Sequence, residues 1–416
     1  MSYYPNIEDV TKACKVIGEL LVPTPFQKNL GLSERYGANI MLKREDLQIV
    51  RSYKIRGAFN KINSLESENL EKGVVCASAG NHAQGVAYSC NLLKINGIIF
   101  MPETTPKQKI EQVKMFGKEY IEIVLVGDSF DDANREALKF SLENNRSFIH
   151  PFDDPKIIEG QATVGMEILN EYKEEIDYIF IPVGGGGLAS GVGSVFKQLS
   201  PKTKIVGVEP MGAQSMKLSL ENGFVYELKE IDRFVDGAAV KRVGELTFNI
   251  CKEVLDDVVA VPEGAVCSTI LELYNRNAIV VEPAGALSIS ALPFYANQIV
   301  GKNVVCIVSG SNNDIGRTEE IRERSLLYEG LKHYFIIRFP QRSGALLSFV
   351  KNILGPKDDI THFCYSKKTN REQGPAVIGV ELSNSSDFNS LIKRMDEQNV
   401  VYEYINNKQD LFGFLI

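Results

Sequence analysis

Four consecutive glycines, Gly184 to Gly187, stand between an apolar run at residues 178–183 and an apolar pattern at Leu188, Val192, Val195, Phe196 and Leu199. The run reads as a buried strand, and spacings of three and four read as a helix. Amides freed by such a turn, at the positive end of a helix, bind a phosphate, and with no Cβ in the way the anion can come close. Gly184 to Ala189 also fit the G-x-G-x-x-[GA] pattern of dinucleotide sites, with Glu209 about twenty residues on, where an acidic residue meets a ribose. Alone, the motif specifies a phosphate without saying whose.

Two more turns offer donors of the same kind. Ser78-Ala79-Gly80-Asn81-His82 follows an apolar run at 73–77 and precedes helical spacing at Ala83, Val86, Ala87, Cys90 and Leu93. Its backbone amides, hydroxyl and side-chain amide suit a carboxylate, although a plain capping turn with Ser78 as N-cap accounts for the same string. Ser309-Gly310-Ser311-Asn312-Asn313-Asp314 follows the apolar run 304–308, with the same alternative. Lys54 sits in Arg51-Ser52-Tyr53-Lys54-Ile55-Arg56-Gly57-Ala58 and is one of 46 lysines and arginines, most of which are solvated surface charges in any soluble protein. Three anion-friendly turns accompany it in the same chain.

Such turns need a sheet behind them. Between about residues 40 and 320 a short β-rich run, a Gly or polar turn and an amphipathic helix recur, the pattern of βαβ units on a mainly parallel sheet. Residues 96–101, 121–126 and 205–208 are further strands of the buried, β-branched type, so helices must cover both faces. After a charged stretch at 322–330 the rhythm changes to strand 334–339, helix 345–354, strand 360–365, strand 376–382, helix 388–398 and strand 401–405, which is the ferredoxin-like βαββαβ order. A boundary near 330 divides the chain into domains 1–330 and 331–416.

The net charge of -7 carries no basic footprint for nucleic acid, and no apolar stretch approaches a membrane span. Seven cysteines lie far apart without a C-x-x-C pair, which reads as buried free thiols in a reducing cytoplasm. The N-terminus has no signal-peptide pattern. The four histidines lack metal-ligand spacing, and no metal is expected.

Taken together and in this order, Lys-Ile-Arg-Gly-Ala at 54–58, Ser-Ala-Gly-Asn-His-Ala at 78–83 and Gly-Gly-Gly-Gly-Leu at 184–188 resemble the tryptophan-synthase-β class (fold type II) of pyridoxal-phosphate enzymes, and within it the threonine dehydratases. The resemblance runs from Pro23-Thr24-Pro25 and Lys43-Arg44-Glu45-Asp46 to the C-terminal domain. It implies an α/β catalytic domain of two open, mainly parallel subdomains, followed by an ACT-like α+β domain. It further implies that Lys54 is the lysine joined to pyridoxal 5'-phosphate and the base for the α-proton. By the same resemblance Asn81 bonds the ring 3-hydroxyl oxygen, Gly184, Gly185, Gly186, Gly187 and Leu188 hold the phosphate, and Ser309 partners the pyridine nitrogen. Ser78, Ala79, Gly80, Asn81 and His82 cradle the substrate carboxylate.

The implied reaction is elimination of water from L-threonine followed by hydrolysis of the resulting enamine to 2-oxobutanoate and ammonia, the first step toward isoleucine, with L-serine as secondary substrate. Ala79 stands where serine racemases of this fold carry a second serine, which disfavours racemisation. Those relatives also hold a divalent metal with a Glu, a carbonyl and an Asp. Here Glu209 is followed by Ser215, which lacks the second carboxylate of such an oxygen cage. The segments 339–346 and 359–363 resemble the regulatory module of biosynthetic threonine dehydratases, which implies isoleucine or valine as effector and a homotetramer. Gln341 and Ser343 depart from that pattern, and a module that only oligomerises is the alternative. A catabolic serine/threonine dehydratase, a dinucleotide-dependent dehydrogenase and a non-catalytic amino-acid sensor are the rival readings.

Overall fold

The computed structural model describes residues 3–366 and 372–408 and divides the chain into two compact units, Met1–Asp314 and Ile315–Ile416. The strands of the first unit are β1 (Phe26–Lys28), β2 (Asn39–Arg44), β3 (Val74–Ala77), β4 (Gly97–Met101), β5 (Ile121–Leu125), β6 (Ser147–Phe148), β7 (Tyr178–Pro182), β8 (Lys204–Pro210), β9 (Asp257–Val261) and β10 (Asn303–Val308). They form a six-stranded sheet in the order β1-β2-β10-β7-β8-β9 and a four-stranded sheet in the order β5-β4-β3-β6. Every pairing is parallel except β1 with β2.

Parallel strands are hydrophobic on both faces because helices cover both. Accordingly β3 and β4 are buried along their whole length, and the larger sheet packs Ile179, Ile181, Val305 and Ile307 against Val192 and Phe196 of the helix Gly187–Leu199. Five of the seven cysteines lie in these interiors, whereas Cys14 is half-buried and Cys364 is exposed.

One helix, Pro155–Glu171, serves as the spine of the first unit. Asp154 caps it by accepting from the amides of Lys156 and Ile157, and Pro155 opens it at a position where a missing N–H costs nothing. Helix Lys54–Asn63 crosses it at a glycine pair. A Cβ on Gly160 would lie 2.6 Å from both Arg56 O and Gly57 Cα. Helix Gly187–Leu199 crosses the same spine, where a Cβ on Gly191 would lie 2.6 Å from Ile158 O. Backbone-to-backbone contact at these crossings sets the distance between the two helices that begin at Lys54 and at the tetraglycine.

A buried ion cluster locks the first of them. Arg56, fully buried, donates to both Glu45 oxygens at 2.7 and 2.8 Å, to Glu167 at 2.6 and 2.9 Å and to Thr163 Oγ1 at 3.1 Å. Lys43 Nζ, equally buried, completes the cluster at 2.6 Å from Glu167 and 2.8 Å from Thr24 O. The segments around Thr24 and at Lys43 to Asp46 are thereby tied to the helix that carries Lys54.

The second unit contains β11 (Lys332–Pro340), β12 (Asp359–Tyr365), β13 (Gln373–Glu381) and β14 (Tyr402–Tyr404) in an antiparallel sheet of order β12-β13-β11-β14. Helices Ala345–Asn352 and Phe388–Glu397 supply Phe349, Leu391 and Met395 to a core with Phe335, Ile337, Phe339 and Ile378. Alternate residues of β11 point into that core, as the period-two pattern requires. His333 stacks on Phe388 at 4.1 Å and bonds Tyr404 Oη and Gly330 O, a packing role. Helix Thr318–Tyr328 belongs to this unit through Arg322 with Glu381 at 2.9 Å and Tyr334 Oη with Glu323 at 2.7 Å.

Candidate active site

Three turns at carboxyl ends of parallel strands meet around Lys54, which opens helix Lys54–Asn63. Crevices outside such strand ends are where open α/β sheets bind ligands. Residues ahead of Lys54 are stitched to the turn after β10: Ser52 bridges Gly310, and Tyr53 N donates to Ser309 O at 3.2 Å. Ser309 is buried, and its hydroxyl donates to Ala284 O at 3.1 Å. From the other side, helix Asn81–Leu93 comes so close that a Cβ on Gly85 would lie 3.1 Å from Ile55 N. Asn81 accepts at Oδ1 from Asn312 Nδ2 at 2.6 Å and donates from Nδ2 to Glu282 Oε1 at 2.6 Å.

The turn after β3 is built by Gly80, which is the N-cap of helix Asn81–Leu93. Ser78 is not the cap; its Oγ instead accepts from Gly80 N at 3.2 Å, and Ala79 stands between them. His82 turns away from this cradle into the interior, where Nε2 meets Ile149 O at 2.8 Å and burial holds the ring down to about 3. Only its backbone is left for an anion. The turn after β10, by contrast, starts no helix directly, since residues 311–314 are irregular, and two of its side chains tie it to neighbouring backbone while Asn312 Oδ1 and Asn313 Oδ1 are buried without a partner among the described residues. Ser311 Oγ donates to Asp46 O at 3.0 Å and Asn312 Nδ2 to Val50 O at 2.9 Å.

The four glycines serve different ends, and not all of them use a positive φ. Only Gly186 does, at φ 93°, and it is the N-cap of helix Gly187–Leu199. The others are glycine because protein crowds them: a Cβ on Gly185 would enter the Phe152 ring, one on Gly187 would lie 3.0 Å from Phe152 Cβ, and one on Gly184 3.0 Å from Ala238 Cα. Thr247 Oγ1 holds Gly185 O at 2.6 Å. Among the described residues, no protein acceptor takes the amides of Gly185, Gly186, Gly187 or Leu188, the orphan donors that a helix start presents to an anion.

The loop after β6 joins lysine to glycines, and sequence reasoning passed over it. Lys54 Nζ donates to Pro151 O at 2.8 Å, and the next residue, Phe152, covers Gly185 and Gly187. His150 shapes this loop, its Nδ1 accepting from the amides of Phe152 at 3.2 Å and Asp153 at 2.7 Å. That role requires a neutral ring with its proton on Nε2, and burial holds His150 down to about 4. Asp153 then receives the amides of Glu245 and Thr247, which brings Thr247 to the glycine loop. A polar turn just before the Asp154-Pro155 helix start was the available signal.

Electrostatically the site weakens the charged form of the amine. Burial pulls Lys54 down from the usual 10.5 to about 8, against the opposing pull of Glu282. Burial, then Asp236, pushes Glu282 up to about 7, with Asn81 and the Asn312 amide opposing. Glu209 lies buried at the end of β8 and accepts from the amides of Met216 at 2.7 Å and Lys217 at 2.8 Å. Burial raises it to about 8, and both of its oxygens are committed to the start of helix Ser215–Asn222 rather than to a ribose. Among the described residues no cluster of three or more His, Cys, Asp or Glu side chains could hold a metal, and no helix is long and apolar enough to cross a membrane. A desolvated lysine, an orphaned-amide cradle that any Cβ at Gly185 would spoil, and a buried uncharged hydroxyl together fit a phosphorylated aldehyde bearing a pyridine ring.

Comparison with known proteins agrees with that fit. Residues 17–310 match the family described as pyridoxal-phosphate dependent enzyme, and residues 323–415 match the C-terminal regulatory domain of threonine dehydratase. The chain is 58% identical to L-threonine dehydratase biosynthetic IlvA of Halalkalibacterium halodurans, over 99% of each chain. It is 55% identical to the Bacillus subtilis protein of the same name, over 99% of this chain and 97% of that one. Among solved structures, the processed form of threonine deaminase isoform 2 from Solanum lycopersicum superposes with a TM-score of 0.73 at 40% identity, covering 78% of this chain and 96% of that one. Maize serine racemase superposes with a TM-score of 0.72 at 30% identity, covering 78% and 99%.

Proposed function

The chain belongs to the pyridoxal-phosphate-dependent enzyme family, and from that premise we propose how its residues divide the work of a lyase that converts L-threonine to 2-oxobutanoate and ammonia. Pyridoxal phosphate, when bound, supplies the electron sink that makes the substrate α-proton removable. Lys54 Nζ carries the cofactor and, once released, takes that proton; an amine held near 8 is a competent base at neutral pH, where an ordinary lysine is not. The amides of Gly185 to Leu188 bind the phosphate at the helix start, with Gly184 setting the turn. Asn81 bonds the ring hydroxyl. Ser309 offers the ring nitrogen an uncharged hydroxyl, which by rotating from Ala284 O can donate to an unprotonated nitrogen and so does not force it into the protonated form as a carboxylate would. The turn Ser78 to His82 cradles the substrate carboxylate with the backbone amides of Ala79, Asn81 and His82, those of Ser78 and Gly80 being spent on Phe100 O and Ser78 Oγ. Ala79 has no proton to move on the opposite face, which favours elimination over racemisation.

The observation that carries this division is the placement of Lys54 Nζ, 2.8 Å from Pro151 O, one residue before the ring that covers the glycine loop. L-serine is the secondary substrate, since it shares the β-hydroxyl that must leave. A regulatory role for the second unit is supported by its match to the C-terminal regulatory domain of threonine dehydratase; isoleucine or valine as the effector and a homotetrameric assembly are what the family resemblance implies. Direct measurement of 2-oxobutanoate from L-threonine tests the core of the proposal. Wild-type chain turns over and Lys54→Ala loses at least a thousandfold in rate; turnover within tenfold of wild type in that variant contradicts it.

A further inference from the structure

Asn81 is the one proposed cofactor contact whose usefulness depends on which way a planar amide is turned. An asparagine amide offers donors at one end and acceptors at the other, and a half-turn about its last torsion exchanges them. Here both ends are already engaged by protein. Asn312 Nδ2 donates to Asn81 Oδ1 at 2.6 Å, and Asn81 Nδ2 donates to Glu282 Oε1 at 2.6 Å. The orientation of Asn312 is itself fixed, because its second Nδ2 hydrogen goes to Val50 O at 2.9 Å, an atom that can only accept. Glu282 is held in turn: it is 5% exposed, its amide donates to Gly310 O at 3.2 Å, and the Asn312 backbone amide donates to its carboxyl. A Cβ at Gly310 would strike Glu282 Oε1, so the close approach of that carboxyl requires glycine after Ser309.

We propose that Asn312 and Glu282 are positioning residues that lock the Asn81 amide in one orientation, leaving its second Nδ2 hydrogen as the donor for the cofactor ring oxygen. The inference rests on the reading of this pocket as the pyridoxal-phosphate site. It adds a device that no single motif discloses: one residue of the turn after β10, Asn312, bonds Asn81 through its side chain and Glu282 through its backbone. The turn that supplies Ser309 to one part of the ring thereby also sets the donor for another. A lone Asn81 would pay to fix its rotamer whenever cofactor bound, whereas the locked amide is preorganised.

The test is reconstitution of cofactor-free protein with pyridoxal phosphate, following the dissociation constant and the maximum of the visible absorbance band. Asn312→Leu and Glu282→Leu are expected to weaken binding roughly 10- to 100-fold, the equivalent of one buried hydrogen bond left unmade, and to shift the band. Glu282→Gln keeps a carbonyl acceptor for Asn81 Nδ2 and is expected to stay within about threefold of wild type. Asn312→Asp preserves volume while replacing the donor by an acceptor, so it should fold and still lose affinity. Thermal unfolding of the cofactor-free forms checks that each variant is native. Wild-type affinity with an unmoved band in Asn312→Asp and Glu282→Leu overturns the lock, as does equal loss in Glu282→Gln and Glu282→Leu, which would assign the effect to charge. Wild-type protein that forms no adduct at Lys54 would instead overturn the reading of the site, and the lock with it.

Discussion

The Lys54 amine shows how burial alone turns a common side chain into a reactive one. Held near 8 by desolvation, it is largely neutral above that pH and protonated below it, and only the neutral amine attacks an aldehyde. The rate at which cofactor-free protein forms its covalent adduct with pyridoxal phosphate, followed by absorbance, should therefore climb with pH and level off above about 8. A rate still rising tenfold per pH unit up to 10 would mean an ordinary lysine. Lys54, Asn81, Ser309 and the glycines stood out in the sequence only in combination, since the turns bearing Asn81 and Ser309 each read alone as a plain cap, and their roles came from the family resemblance. Glu282 and His150 did not stand out, since nothing local marks them. Glu282 reads as the residue before a helix-opening proline, and it reaches Asn81 across 201 positions of chain. His150 becomes a loop organiser only when the amides of Phe152 and Asp153 fold back onto it.

At the scale of elements, the site is a set of helix starts hung on one spine. Helix Pro155–Glu171 receives the Lys54 helix at Gly57 and Gly160 and the phosphate-loop helix at Gly191, while its own N-terminal loop supplies Pro151 O and the Phe152 ring. Gly160→Ala inserts a Cβ 2.6 Å from Arg56 O and Gly57 Cα, and the helices must part. That overpacking should cost about 1–3 kcal/mol, seen as a lower unfolding temperature, together with weaker cofactor binding because Lys54 moves relative to the cradle. A variant destabilised but with unchanged cofactor affinity would show that the crossing does not position the site. Six of the parallel strands and the turns after three of them were readable from β-branched runs and glycines, whereas β2, β6 and β9 were not read as strands. The pairing order was not readable, since β10 inserts between β2 and β7, and such neighbours are set by tertiary packing rather than by adjacency in sequence. Three of the four glycines at 184–187 taught the same lesson, being required by Phe152 and Ala238 rather than by their own φ.

For the whole molecule, a catalytic α/β unit and a regulatory unit with an antiparallel sheet share one chain, and the change of rhythm from βα repeats to βαββαβ carried these two fold classes in the sequence. Isoleucine acting through the second unit should lower the deamination rate and also raise that unit's unfolding temperature, as any ligand bound to the native state must. Inhibition that competes with threonine and leaves the unfolding of the second unit unmoved would place isoleucine in the catalytic pocket instead. Everything else depends on where the cofactor is joined. Borohydride reduction of the holoenzyme, followed by proteolysis and mass spectrometry, should find the reduced pyridoxyl group on the peptide bearing Lys54 and nowhere else; an adduct on another lysine, or none, would contradict the account.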